Sequence, residues 1–168
     1  MQRAKSSRNH YRHEDQEATV DDLDLRLLAA LKDDARRPFL TLSKDFGVSD
    51  ATVRKHIRNL ENRGVIKGYG TRVDPEHLGY RVTAFIELKI KPGTADVVGQ
   101  KLAKIPSVLE VFELHSHCDI LLKVQTKDLH ELRNELVSSI SAIPEVLSKE
   151  TSVVLNTAKD VTGPPIKS

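Results

Sequence analysis

The spacing of apolar residues changes period near residue 80, and a chain with two periods folds as two kinds of unit. From Val82 the pattern is strict alternation: Val82, Ala84, Ile86, Leu88 and Ile90 recur every second residue, which puts them on one face of a β-strand. The stretch "TADVVGQKLAKIP" returns to helical spacing, with Val98, Leu102 and Ile105 aligned. "VLEVFEL" and "DILLKVQT" read as two strands. "DLHELRNELVSSISAIP" reads as a second amphipathic helix carrying Leu129, Leu132, Leu136, Ile140 and Ile143, and "TSVVLNT" as a last strand. The order β-α-β-β-α-β over residues 82–159 is that of a ferredoxin-like sheet. An internal echo supports it, because "KIPSVLEV" and "AIPEVLSK" are each an Ile-Pro helix stop feeding a strand. Two helices cover only one face of a four-stranded sheet. Ile120-Leu121-Leu122 and Val153-Val154-Leu155 are apolar on both faces, so the open face is expected to meet a second copy, as a homodimer.

Ahead of the sheet the period is helical. Asp21 is placed to cap a first helix, with Asp24 three residues on and Val20 and Leu25 set as a hydrophobic staple. Leu23, Leu27, Leu28 and Leu31 form its apolar stripe. Pro38 suits the first turn of a short helix, "PFLTLSKDF", ended by Gly47. Ser49 caps a third helix with Val53, Ile57 and Leu60 on one face, and Gly64 closes it. A short helix, the turn "GVS" and a longer helix make a helix-turn-helix over residues 20–64, with small Ser43 where the two helices approach. The segment 65–81, "VIKGYGTRVDPEHLGYR", carries turn residues and a few β-formers and reads as a hinge strand. Residues 1–19 have almost nothing to bury and read as a disordered basic arm, and 160–168 as a flexible tail. The expected fold is therefore α+β: an N-terminal helix-turn-helix (winged-helix-like) domain joined by a hinge strand to a C-terminal ferredoxin-like βαββαβ domain for oligomerisation.

A net charge of +2 is too near neutral to argue for nucleic acid by itself, so the placement of charge must decide. One cysteine allows no internal disulfide and suits a reducing compartment. No apolar run approaches the roughly 20 residues that span a bilayer. A cytoplasmic protein without a membrane partner is expected.

With Val53, Ile57 and Leu60 turned inward, the third helix presents Ala51, Arg54, Lys55, Arg58 and Asn62 outward. Recognition helices read bases with their N-terminal residues while flanking cations hold phosphates. The candidate contacts to double-stranded DNA are thus Ser49, Asp50, Ala51, Thr52, Arg54, Lys55 and Arg58. Ala51 lets the helix lie close to the groove, and Thr52 offers a methyl or a hydroxyl to a base edge. Arg54 and Arg58 suit bidentate contacts, Lys55 a phosphate, and Ser49 a phosphate oxygen as well as the cap. Asp50 can accept from a cytosine amino group, but better suits the positive end of the helix dipole. Arg3, Lys5, Arg8 and Arg12 of the arm can add phosphate or minor-groove contacts.

Over about Val20 to Lys159 the chain resembles the Lrp/AsnC, or feast/famine, regulators. The resemblance rests on "LDLRLLAALKDDARRPFLTLSKDFGVSDATVRKHIRNLENRGVIKGY", on "DPEHLGY" and on the strands "DILLKV" and "TSVVL". It implies a sequence-specific transcription regulator whose ferredoxin-like module forms dimers and higher assemblies and binds amino acids. In that family the turn between the second and third strands carries a glycine and then an aspartate, and helps form the effector pocket. Here the turn is "HSHCD": Asp119 matches the aspartate, and Ser116 stands where the glycine is expected. His115, Ser116, His117 and Asp119 are the resulting effector candidates.

Read without the resemblance, the same turn is also compatible with a metal held by His115 and His117, with Cys118 or Asp119 as third ligand, or with a plain polar turn. No metal or cofactor is assigned, and no nucleophile-base-acid trio can be assembled, so no catalytic residue is named. Two other functions are compatible with parts of the pattern. One is an architectural protein that wraps DNA. The other is an enzyme like the siroheme decarboxylases that resemble this family, against which the absence of tryptophan and the cationic helix face both argue.

Overall fold

The structure is a computed structural model and describes residues 20–160 and 163–166. The basic arm, with Arg3, Lys5, Arg8 and Arg12, lies outside the described residues. The chain divides into two compact units, one running to Thr71 and the other beginning at Arg72.

In the first unit, α1 (Asp22–Asp33) opens with the expected reciprocal cap. The Asp21 carboxylate accepts from the Asp24 N–H at 2.7 Å, and the Asp24 carboxylate accepts from the Asp21 N–H at 3.3 Å. Pro38 sits one position before α2 (Phe39–Phe46) as its N-cap, and Gly47 ends that helix at φ +68°. The buried Ser43 hydroxyl donates to the Leu40 carbonyl at 2.9 Å, which removes the cost of burying it where α2 meets its neighbour. α3 (Asp50–Asn62) follows, and Leu27, Ala30, Leu31, Leu42, Val53 and Ile57 form the core, with Ile66 packed against it.

Sequence reasoning left one buried group unexplained. Asp24 is 2% exposed, and its carboxylate meets His56 Nδ1 at 2.7 Å and Arg63 at 4.0 Å. An acidic residue chosen by α1 as a capping partner is also the anchor of α3, because both of its partners lie on or just after that helix.

The second unit is a four-stranded antiparallel sheet in the order β2-β3-β1-β4. Its strands are β1 (Val82–Ile90), β2 (Val108–Glu113), β3 (Ile120–Thr126) and β4 (Val146–Val153), with α4 (Ala95–Leu102) between β1 and β2. Ala84, Ile86, Leu88 and Ile90 of β1 are buried together with Ile120, Leu122 and Val124 of β3, on the face that α4 covers with Val98 and Leu102. Each such large side chain contributes about 1.5–3 kcal/mol by leaving water.

Four expectations need correction. The last strand is Val146–Val153, not 151–157: the chain enters it directly after Ile143-Pro144, as the Ile-Pro echo indicates, and Leu155 lies beyond it, 96% exposed. The second helix is not regular. Its middle, Glu131–Val137, is π-helical before α5 (Ser138–Ser141). The wider turn keeps Leu132, Leu136 and Ile140 in the core and leaves Leu129 outside it, 59% exposed. The open face of the sheet is mixed rather than apolar. β4 offers Ser148, Glu150 and Ser152 there, and the apolar residues are Phe85, Leu121 and Phe112. Finally, residues 65–81 form no hinge strand. A strand needs an edge to pair its backbone groups, no strand among the described residues pairs with them, and a single 3₁₀ turn, Glu76–Leu78, is the regular element present there.

Asp24→Ala removes half of the cap and leaves His56 and Arg63 without their buried anion, so it is expected to destabilise the first unit by about 2–4 kcal/mol. Asp22→Ala, at an exposed carboxylate in the same turn, should stay within about 0.5 kcal/mol. Urea unfolding of the two variants at neutral pH checks the difference.

Candidate nucleic-acid interface and effector turn

The N-terminus of α3 is held by hydroxyls. The Ser49 Oγ accepts from the Thr52 N–H at 3.1 Å and lies 2.8 Å from the Thr52 Oγ1. Ala51, Arg54, Lys55 and Arg58 are exposed, as the helical wheel requires, while Val53, Ile57 and Leu60 are buried. The cations are not equivalent. Arg54 Nε donates to Asp50 at 2.7 Å, one turn back, and its guanidinium lies 5.1 Å from the centre of the Phe39 ring on α2. It is therefore oriented and largely neutralised. Lys55 and Arg58 form no ion pair among the described residues, so their charge is uncompensated. They stand three apart on one helix face, spaced to meet a negatively charged backbone. Asp50 thus does more than favour the helix dipole, because it positions Arg54. Its other oxygen, Oδ1, is buried without a partner among the described residues.

The "HSHCD" turn joins β2 to β3 and is tied to β1, which runs beside β3. The Asp119 carboxylate accepts from the Ile90 N–H at 2.9 Å and from Lys89 Nζ at 3.2 Å, while the Asp119 N–H donates to the Leu88 carbonyl at 2.9 Å. The Ile90 N–H first, and then Lys89, hold the Asp119 carboxyl below its ordinary range. In the single chain the Asp119 carboxylate thus braces the turn against β1. Ser116 is exposed, its Oγ accepting from the Cys118 N–H at 3.4 Å and donating to the Cys118 carbonyl at 3.2 Å. His117 Nε2 lies 2.7 Å from the Glu87 carboxylate, and His115 is exposed. The turn brings His117, Cys118 and Glu87 together, not His115 with His117. A cavity of about 190 Å³ adjoins them, lined by Glu87, Lys89, His117, Cys118, Ser148 and Glu150 among others. Glu87 and Lys89 had no signal of their own in the sequence, since each is one polar position in an alternating strand.

Because the folded-state pKa of Asp119 is depressed, its stabilisation is full above the unfolded carboxylate value of about 4 and disappears as pH falls through the lower folded value. Asp119→Asn keeps an oxygen for the Ile90 N–H and removes the charge. The wild-type Tm should therefore exceed that of the variant at pH 6 and converge on it as the solution is acidified below pH 4. A Tm difference that is constant across this range would show that the charge of Asp119 does not matter.

Residues 20–67 match the family described as winged helix-turn-helix DNA-binding, and residues 83–164 match the Lrp/AsnC ligand binding domain. The HTH-type transcriptional regulator FL11 of Pyrococcus horikoshii is 38% identical over 148 residues, which is 88% of this chain and 97% of that protein. The regulatory protein AsnC of Escherichia coli is 35% identical over 139 residues, 81% of this chain and 90% of the relative. Among solved structures, E. coli AsnC superposes with a TM-score of 0.83 at 32% identity, covering 88% of this chain and 99% of that one. The feast or famine regulatory protein of M. tuberculosis, complexed with L-methionine, superposes at 0.80 with 26% identity over 89% of this chain and all of that one. The two kinds of fold, their order along the chain and these likenesses over nearly its whole described length agree: the chain belongs to the Lrp/AsnC family and is a DNA-binding transcription regulator of that type.

Proposed function

We infer that this regulator reads double-stranded DNA with the N-terminal half of α3. Ala51 and Thr52 lie against base edges, Arg58 makes a base or phosphate contact, and Lys55 holds a phosphate. Ser49 offers its hydroxyl at the helix N-terminus, and Asp50 acts by aiming Arg54. The observation that carries this reading is the pair of cations without an ion pair among the described residues, Lys55 and Arg58, on the exposed face of a helix whose Val53, Ile57 and Leu60 are buried. The working domain limits are 20–64 for DNA reading, 65–81 for the connection and 82–159 for assembly and effector binding, with 1–19 and 160–168 as appendages. The protein acts as a homodimer or higher homo-oligomer, for which Phe85, Leu121 and Phe112 on the open sheet face are apolar contacts. No described helix is long and apolar enough to cross a membrane, and the protein works in the cytoplasm, where its DNA is. It is a binding protein and not an enzyme.

The effector is an amino acid or another small polar molecule held at the 115–119 turn. This is supported by the match to the ligand-binding domain family and by the L-methionine complex of the M. tuberculosis neighbour. With Asp119 bracing the turn, His115, Ser116 and His117 are left to meet the ligand. Binding that differs between assembly states would shift oligomerisation and so DNA occupancy.

Arg58→Ala should weaken operator binding by about 1–3 kcal/mol if Arg58 reads a base, and less if it holds a phosphate. Asp50→Ala frees Arg54 from its partner. It should strengthen binding to random DNA more than to operator and steepen the salt dependence. Fluorescence anisotropy on operator and scrambled duplexes over a salt series measures both. A folded variant with Arg54, Lys55 and Arg58 all alanine that keeps full affinity would remove the assignment of α3. Equal affinity for the two duplexes would favour a DNA-wrapping role. Screening the twenty amino acids by thermal shift tests the effector, with a gain expected for one or a few of them and lost in Asp119→Ala.

A further inference from the structure

We propose that Glu87, His117 and Cys118 form a zinc-class metal site that ties the β2–β3 turn to β1. The ligand atoms of these three residues all lie within 4.8 Å of one another. They arrive from two places in the chain: Glu87 from β1, His117 and Cys118 from the turn. Cys118 is 3% exposed, yet it is not part of the hydrophobic cluster beneath the sheet. Its sulfur lies 3.7 Å from the Ser116 hydroxyl. A buried thiol among polar groups is not explained by core packing.

An independent observation points to a cation at the same place. Glu87 is directly opposite Glu150 across the β1–β4 ladder, and both line the adjoining cavity. Like charges directly opposed across a sheet destabilise it. A divalent cation at Glu87 converts that repulsion into attraction. The positive groups at the cavity wall do not fill this role fully: Lys89 is engaged by Asp119 at 3.2 Å, and Lys149 stands alongside. With Lys89 neutralised by Asp119, Glu87 and Glu150 face Lys149 alone, which leaves the site net negative before the metal enters.

The donor set selects the metal. A thiolate, an imidazole and one carboxylate suit zinc, and exclude magnesium and calcium, which take oxygen ligands. Three protein ligands leave a fourth position, open toward the cavity, for water or an incoming small molecule. Zinc needs its ligands at about 2.0–2.3 Å, so the 2.7 Å His117–Glu87 hydrogen bond must give way to two metal bonds. His117, with a side chain 79% exposed, is free to make that adjustment. Binding displaces the thiol proton, so affinity rises with pH. The inference is separate from the amino-acid reading, because its test contains no amino acid.

The test uses the full chain, stripped with a chelator and titrated with Co²⁺ and then Zn²⁺. One equivalent of cobalt should give a thiolate-to-cobalt charge-transfer band and the strong visible absorption of a four-coordinate ion, and zinc should bleach both. Cys118 is the sole cysteine, so Cys118→Ser should abolish the charge-transfer band. His117→Ala, at an exposed side chain, and Glu87→Gln should each weaken cobalt binding by about tenfold or more, while His115→Ala should leave it unchanged. A charge-transfer band of full strength in both His117→Ala and Glu87→Gln overturns the site. So does cobalt binding with no charge-transfer band, which is the result if the histidines elsewhere in the chain, such as His10 and His13, take the metal.

Discussion

Leu88 pairs with Ile120 across the β1–β3 ladder, and the functional geometry of the second unit depends on that register. It puts the alternating apolar residues of both strands on one face, where they bury together. It also sets the residues just before Ile120 beside the end of β1, so that the Asp119 carboxylate reaches the Ile90 N–H and His117 reaches Glu87. A slip of one residue would turn every core side chain to the open face, so the core enforces the register and the register builds the turn. The site is positioned by hydrophobic burial a short distance away, not by the attraction of its own polar groups.

The helix-turn-helix unit uses a polar device for the same purpose. Apolar packing of Leu27, Leu42, Val53 and Ile57 holds its three helices together, but packing alone leaves some freedom in how far a helix rotates or slides. The contact of Asp24 with His56 and Arg63 ties the start of α1 to one side and the end of α3. Buried polar contacts gain little net stability and are directional, so they serve alignment. The outward side of the same helix is then presented with Arg54 held by Asp50 and Phe39, and with Lys55 and Arg58 in no ion pair among the described residues.

Much of this was legible in the sequence, and it shares a physical basis. Helix caps at Asp21 and Ser49, the left-handed turn at Gly47, the alternation of β1 and the Ile-Pro stops are all settled by residues within about four positions of one another. So was the outward set on α3, because a helix of known buried face has a known exposed one. The chain determined by itself the three helices of the first unit, the β-α-β-β-α-β order of the second, and the buried faces of α3 and β1.

The remainder was decided by contacts between residues far apart in sequence. Glu87 stands thirty residues before His117, and nothing local marks it as different from Lys89 or Thr83. Asp24 looked like a capping residue and proved to be a buried anchor as well, because its partner His56 comes from another helix. The last strand began earlier than its most apolar stretch, since pairing with β1 and not local hydrophobicity sets where a strand lies. Segment 65–81 has β-forming residues and no strand, because a strand exists only where another backbone supplies its hydrogen bonds. Local rules act through the chain's own neighbours, whereas register, burial of charge and the meeting of ligands depend on which distant residues the folded core brings together.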